Sequence, residues 1–197
     1  MLVVPLTALL LAAQPAAAPR RAAPLACHEL TAAEVRDRVD SYLRAIDVEI
    51  DADEWRALGP AAVPLLETVA RDPAALPTRR AHALFALALV AGPASAELLG
   101  AVAAGEDEPL GVRLAAVQGL GAATAASGLT VALRPILESA RDPRVRAAAA
   151  RQLAERGAEA AACALVVARA AAEEEPARAF FGPALHVCRP PPPRESR

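Results

Sequence analysis

The chain has 197 residues, 55% of them hydrophobic and only 3% aromatic, with a formal charge of -2. That is enough to bury one core, and it describes a single folded unit. All 21 basic residues are arginine, and with a slightly acidic balance and no basic stripe the composition argues against nucleic-acid binding. The apolar content is mostly Ala and Leu, which are strong helix formers. Ala also lets helices approach closely, so helix stacked on helix is the expected class.

Met1 to Ala18 reads as an export signal. Leu2 to Ala13 is an apolar run of signal-region length, too short to cross a bilayer, and Ala16-Ala17-Ala18 supplies small residues for cleavage. No Arg or Lys precedes the run and Pro19 follows it, so an uncleaved leader is the other reading. Pro24-Leu25-Ala26-Cys27 resembles the end of a bacterial lipoprotein signal, which would lipidate Cys27, although Pro24 stands where that signal prefers Leu. The expected organisation is an export signal and leader over 1–26, a helical domain over 27–189, and a disordered Pro-rich tail over 190–197. The chain is expected in the periplasm or outer envelope, and at a membrane only through the signal or a lipid anchor.

Thr31-Ala32-Ala33-Glu34 is a capping box and opens a helix that runs to about Ile46. Asp47 to Trp55 then alternates acids with apolar residues and reads as a solvated insert. A calcium loop would need Gly at its sixth position, where Ala52 stands. Insertions in repeat arrays often sit at a binding face, which makes Trp55 a candidate partner contact.

From there the chain repeats itself. Arg80, Arg113, Arg146 and Arg178 are spaced 33, 33 and 32 residues apart, and each is followed seven positions later by Leu87, Leu120, Leu153 or Leu185. Arg36 and Leu43 form a fifth such pair. An acidic-Pro step precedes the later pairs: Asp72-Pro73, Glu108-Pro109, Asp142-Pro143 and Glu175-Pro176. The acid can cap a helix and Pro fits its first turn, with Pro77-Thr78 starting the helix that carries Arg80. The seven-residue step puts Arg and Leu two turns apart on one helical face. Leu is expected in the core, and Arg in a structural ladder reaching an acidic turn residue of a neighbouring repeat. Gly92-Pro93, Gly105, Gly128 and Gly157 break each unit, and second helices follow over roughly Pro60–Arg71, Ser95–Ala104, Leu129–Arg141 and Ala158–Glu174.

Asp142-Pro143-Arg144-Val145-Arg146 through Leu153, and Leu110-Gly111-Val112-Arg113 through Leu120, resemble HEAT repeats of the short variety also called phycobilisome-lyase HEAT-like. The Arg79-Arg80 unit lacks the Val, and the Arg178 unit is a terminal half-repeat. The resemblance implies an all-α fold, a right-handed α-solenoid of about four to five antiparallel helix pairs; Tyr42, Trp55, Phe180 and Phe181 lie near the ends of the array and are expected to seal its exposed core. It is specific for fold and poor for function, since scaffolds, chaperones and a few lyases share it.

Little in the sequence suggests chemistry. In an antiparallel hairpin turning near Glu174-Glu175, Cys163 and Cys188 fall opposite each other, which favours a bridge between them over a Cys27–Cys188 bridge or three free thiols. Cys27-His28 and His186-Val187-Cys188 match no zinc spacing. His82 lies on a repeat helix, the five Ser residues form no nucleophile elbow, and no Gly-rich phosphate loop occurs. No catalysis, metal or cofactor is expected. The expected role is a non-catalytic protein-protein interaction or scaffold module, its unknown protein partner lying on the surface of the second helices around Glu67, Arg71, Glu97, Glu138 and Arg169. A lyase-like enzyme and a lipid-anchored structural lipoprotein are the alternatives.

Overall fold

The computed structural model describes residues 30–45, 50–157 and 160–189. Every regular element among them is helical. The export signal, Cys27 and the tail lie outside the described residues.

Helix α1 (Ala32–Arg44) begins at the expected capping box: the Thr31 amide donates to Glu34 Oε2 at 2.8 Å and the Glu34 amide donates to Thr31 Oγ1 at 3.3 Å. Val35, Val39 and Leu43 recur at four-residue spacing and form its buried stripe. Of the acidic segment that follows, residues 46–49 lie outside the described residues, and from Ile50 on it departs from the expected solvated insert. Asp51 and Glu54 make a second capping box, opening α2 (Ala52–Ala57) and burying Trp55. Asp51, Asp53 and Glu54 belong to a helix start, where free N–H groups and the helix dipole favour them.

A 3-10 turn, Pro60–Ala62, leads into α3 (Val63–Arg71). Helix α4 (Pro77–Ala91) starts at its proline and stops at Gly92, whose φ of 52° is a left-handed conformation that favours glycine. Helix α5 (Ala96–Ala104) follows. The whole stretch Pro77–Ala104 is apolar and long enough by composition to cross a membrane, but the break at Gly92 divides it, and Arg80 is buried within α4.

Helices α6 (Leu110–Ala123), α7 (Ala126–Ser139), α8 (Pro143–Arg156), α9 (Ala160–Ala172) and α10 (Gly182–Val187) complete the chain. Gly128 lies inside α7 rather than breaking it, and the turn falls instead at Thr124-Ala125. Pro135 also sits inside α7 on its exposed side, where water can satisfy the carbonyl that the ring leaves free.

Contacts follow the repeat. Helix α3 packs on α4, α5 on α6 and α7 on α8, while α4 packs on α6, α6 on α8, and α8 on both α9 and α10. The core lies between the Arg-bearing helices and the second helices packed on them. Its largest fully buried residues include Leu66, Leu84, Leu99, Leu133, Leu153 and Phe181.

Two helix backbones approach closely at Gly119. A Cβ there would stand 3.0 Å from Leu99 Cδ2 and 3.3 Å from the Leu84 carbonyl oxygen, so the α6 backbone lies against that of α4. Gly119→Val is expected to force these helices apart and cost about 1–3 kcal/mol, read as a lower urea midpoint. An unchanged midpoint would mean the interface has room to spare.

Candidate functional site

Two arrangements carry the polar and aromatic residues, and the arginines explain the first. Arg80 Nε donates to the Ala70 carbonyl at 3.0 Å, and its guanidinium pairs with Glu108 at 2.7 Å. Arg113 Nε donates to the Ala103 carbonyl at 3.1 Å and grips Glu106 through two bonds of 2.8 and 3.0 Å. Arg146 donates to the carbonyls of Ala140 and Arg141 at 2.6 and 2.8 Å, and to both oxygens of Glu173 at 2.6 and 2.5 Å. Arg178 reaches the Glu173 carbonyl at 2.7 Å. Each arginine therefore satisfies carbonyls that the preceding helix leaves free at its C-terminus, and three of them add a carboxylate.

The acids are not those of the acidic-Pro steps, Glu108 excepted. Asp142 instead caps α8 and pairs with Arg144, while Glu106 and Glu173 were not singled out in the sequence. Their only sequence signal is position, just after a second helix ends. Arg36 is exposed on α1 and stands outside this ladder. At that end Asp40 instead pairs with Arg79 and Arg44. Arg178 lies in a 3-10 turn, Ala177–Phe181, ahead of the short α10 that carries Leu185.

Glu106 is held below the usual carboxylate range by its bond from the Arg113 side chain and then by the Arg141 amide. Glu173 is lowered chiefly by Arg146, and Asp142 by Arg144. A folded-state pKa below the unfolded value means the unfolded chain binds more protons in the window between them. The stabilisation is therefore complete above the ordinary carboxylate range of about 4 and is lost as pH falls through the lowered folded values. The melting temperature is expected to hold from pH 7 to 5 and drop below 4, and Glu173→Gln should flatten that acid limb. An acid limb unchanged in the variant would remove Glu173 from the account.

The second arrangement lies on the outward side of α4, α6 and α8. Tyr42 from α1, Trp55 from α2 and Phe85 from α4 line one cleft of about 320 Å³, together with His82 and Gln118. Tyr42 and Trp55 meet edge to face, ring centroids 5.1 Å apart. Gln118 also lines a second cleft, of about 400 Å³, bounded by Arg144, Arg151 and Phe180. Positions 82, 115 and 148, like 85, 118 and 151, occupy equal places in the 33-residue register, so the two clefts lie along one surface.

The residues expected to meet a partner lie in several different places. Trp55 is only 3% exposed and serves as a cleft wall. Arg169 is bonded to Glu173 at 3.0 Å and belongs to the arginine network. Glu138 pairs with Arg134 on α7. Glu67, Arg71 and Glu97 do come together, around a smaller cleft of about 220 Å³ on the second helices. The two clefts that share Gln118 follow the Arg-bearing helices, because the arginines turn into the loops and leave the outward positions open.

Cys163 and Cys188 stand at disulfide distance, with sulfurs 2.08 Å and Cα atoms 5.3 Å apart. Among the described residues, no group of three or more His, Cys, Asp or Glu side chains is placed to hold a metal ion. No protein-family model matches this chain, and no curated protein and no solved structure matches it with significance.

Proposed function

We propose that this chain is an α-solenoid of HEAT-like helix pairs that works as a non-catalytic interaction module of the bacterial envelope. Its partner lies along the outward faces of α4, α6 and α8. The observation that carries this reading is Gln118, which belongs to both clefts and makes them one surface over three successive helices. Repeat arrays leave such extended faces because each unit spends its apolar side on its neighbours. Placement in an oxidising compartment is supported by the apolar leader in the sequence and by the Cys163–Cys188 pair.

The test is position-specific photocross-linking in the native host. A photoreactive residue at positions 85, 118 and 151 is expected to trap the same protein, while one at Val131 or Glu97 traps none. Cross-links from the second helices alone would move the binding surface there. No cross-link at any position would end the interaction reading. A phosphatase reporter fused after residue 30 should be active only if the leader exports it.

A further inference from the structure

We propose that the Cys163–Cys188 pair is a redox-sensitive clasp: a protein dithiol opens it, and opening it loosens the wall that Phe180 and Pro183 give to the second cleft. The proposal rests on the reading of the outward face as the binding surface and adds a control to that face.

Neither cysteine is buried, and both line a shallow hollow of about 610 Å³ whose other walls are Ala160, Ala164, Val167 and Ala168. Small, uncharged walls leave the sulfurs within reach of another protein's thiolate. Exposed disulfides are the readily reduced ones, whereas structural bonds resist reduction. The step is a two-electron exchange. The attacking thiolate bonds to Cys188 Sγ as the Cys163–Cys188 bond breaks, and Cys163 leaves as a thiolate and takes a proton. The dithiol's second thiol then gives up its proton and attacks the mixed disulfide, so that Cys188 is released as a thiol and the partner departs as a disulfide. The helix ends set the direction. Cys163 lies in the first turn of α9, where free N–H groups favour a leaving anion, while Cys188 follows the last residue of α10, where the dipole opposes one.

What the clasp holds is the cover of α8. The turn Ala177–Phe181 and α10 both pack on that helix. Together they present Phe180, 46% exposed, and Pro183 to the cleft that Gln118 and Arg151 also line. With the bond open, this segment is held by the buried Phe181 and Ala184 and by the bonds from Arg178 to the Glu173 carbonyl. Those contacts keep it docked in its main state, but it opens more often. The link spans 25 residues, and its loop-closure entropy is worth roughly a few hundredfold in that equilibrium. Nothing from 177–188 lines the aromatic cleft, so the change is confined to one end of the face.

The test uses the full chain carrying Cys27→Ser, which leaves one bond to attack, and reduced thioredoxin as the dithiol. A thioredoxin lacking its second cysteine should be trapped on Cys188 without denaturant, as located by peptide mass mapping. With intact thioredoxin, amide exchange over 177–188 should quicken by roughly a few hundredfold, while α4 and α6 keep their protection. Cys163→Ala with Cys188→Ala should show the reduced pattern and ignore the dithiol. In the photocross-linking experiment, the yield at position 151 should fall at least about threefold on reduction, and that at position 85 should hold. A bond reduced only in denaturant, a trap on Cys163, or loss of protection throughout the chain overturns the proposal. So does a cross-link at 151 whose yield is indifferent to reduction, which leaves the interaction reading standing. No cross-link at 85, 118 or 151 in either state sinks the interaction reading instead, and the trap and the exchange rates still decide whether the clasp opens.

Discussion

Arg146→Ala is expected to lower the stability of the chain by about 3–5 kcal/mol, a drop of roughly 10 °C or more in melting temperature for a chain of this size. The loss comes less from the pair itself than from what it leaves behind. Glu173 is only 5% exposed, and without Arg146 its carboxylate keeps only Arg169, from the helix just before it, as a side-chain donor. The Ala140 and Arg141 carbonyls lose a donor at the same time. A buried charge stripped of its main partner is costly, whereas replacing both partners by apolar groups of similar size is often close to neutral. Arg146→Met with Glu173→Leu should therefore recover much of what Arg146→Ala loses. A single variant within 1 kcal/mol of the parent would show that water reaches the site and that the network is ornamental.

The second large effect concerns the C-terminal end. Replacing Cys163 and Cys188 together by alanine, or reducing them, is expected to cost about 3 kcal/mol, from the loop-closure entropy of a link that joins residues 25 positions apart. Helix α10 has only six residues, far fewer than a helix needs to persist alone, and it packs against α8 and α9. Loss of the link should therefore raise amide exchange first in 182–188, ahead of α4 and α6. Equal protection in the oxidised and reduced forms would mean packing alone secures that end.

Much of the helix pattern was legible in the sequence because its punctuation is chemical. Thr31 with Glu34, Pro77, and Asp142 with Pro143 each announce a helix start, and each helix begins there. Gly92 and Gly105 mark helix ends for the same reason. Where a residue type serves two purposes, the reading slipped. The acids around Trp55 suited both a solvated insert and a capped helix, and only the burial of Trp55 decides between them. Gly128 suited both a breaker and a first-turn residue. The candidate site was less legible still. Periodicity shows that Arg and Leu share a face, but not that a long guanidinium folds back toward a helix end, leaving the next positions of that face outermost. The convergence of Tyr42, Trp55 and Phe85 spans three helices, and no local pattern encodes it.

The arginine bonds also have a mechanical meaning. Those from Arg80, Arg113, Arg146 and Arg178, with the link from Glu106 to the Arg141 amide, all gather where a second helix gives way to the next Arg-bearing one. The opposite turns, at Gly92 and at Thr124-Ala125, carry no ion pair from one unit to the next among the described residues. The molecule is thus bound like a book, stiff along its stitched margin and freer at the fore-edge. Successive units should fan about that margin, letting a strip of side chains widen or narrow to suit what lies across it without breaking a single stitch.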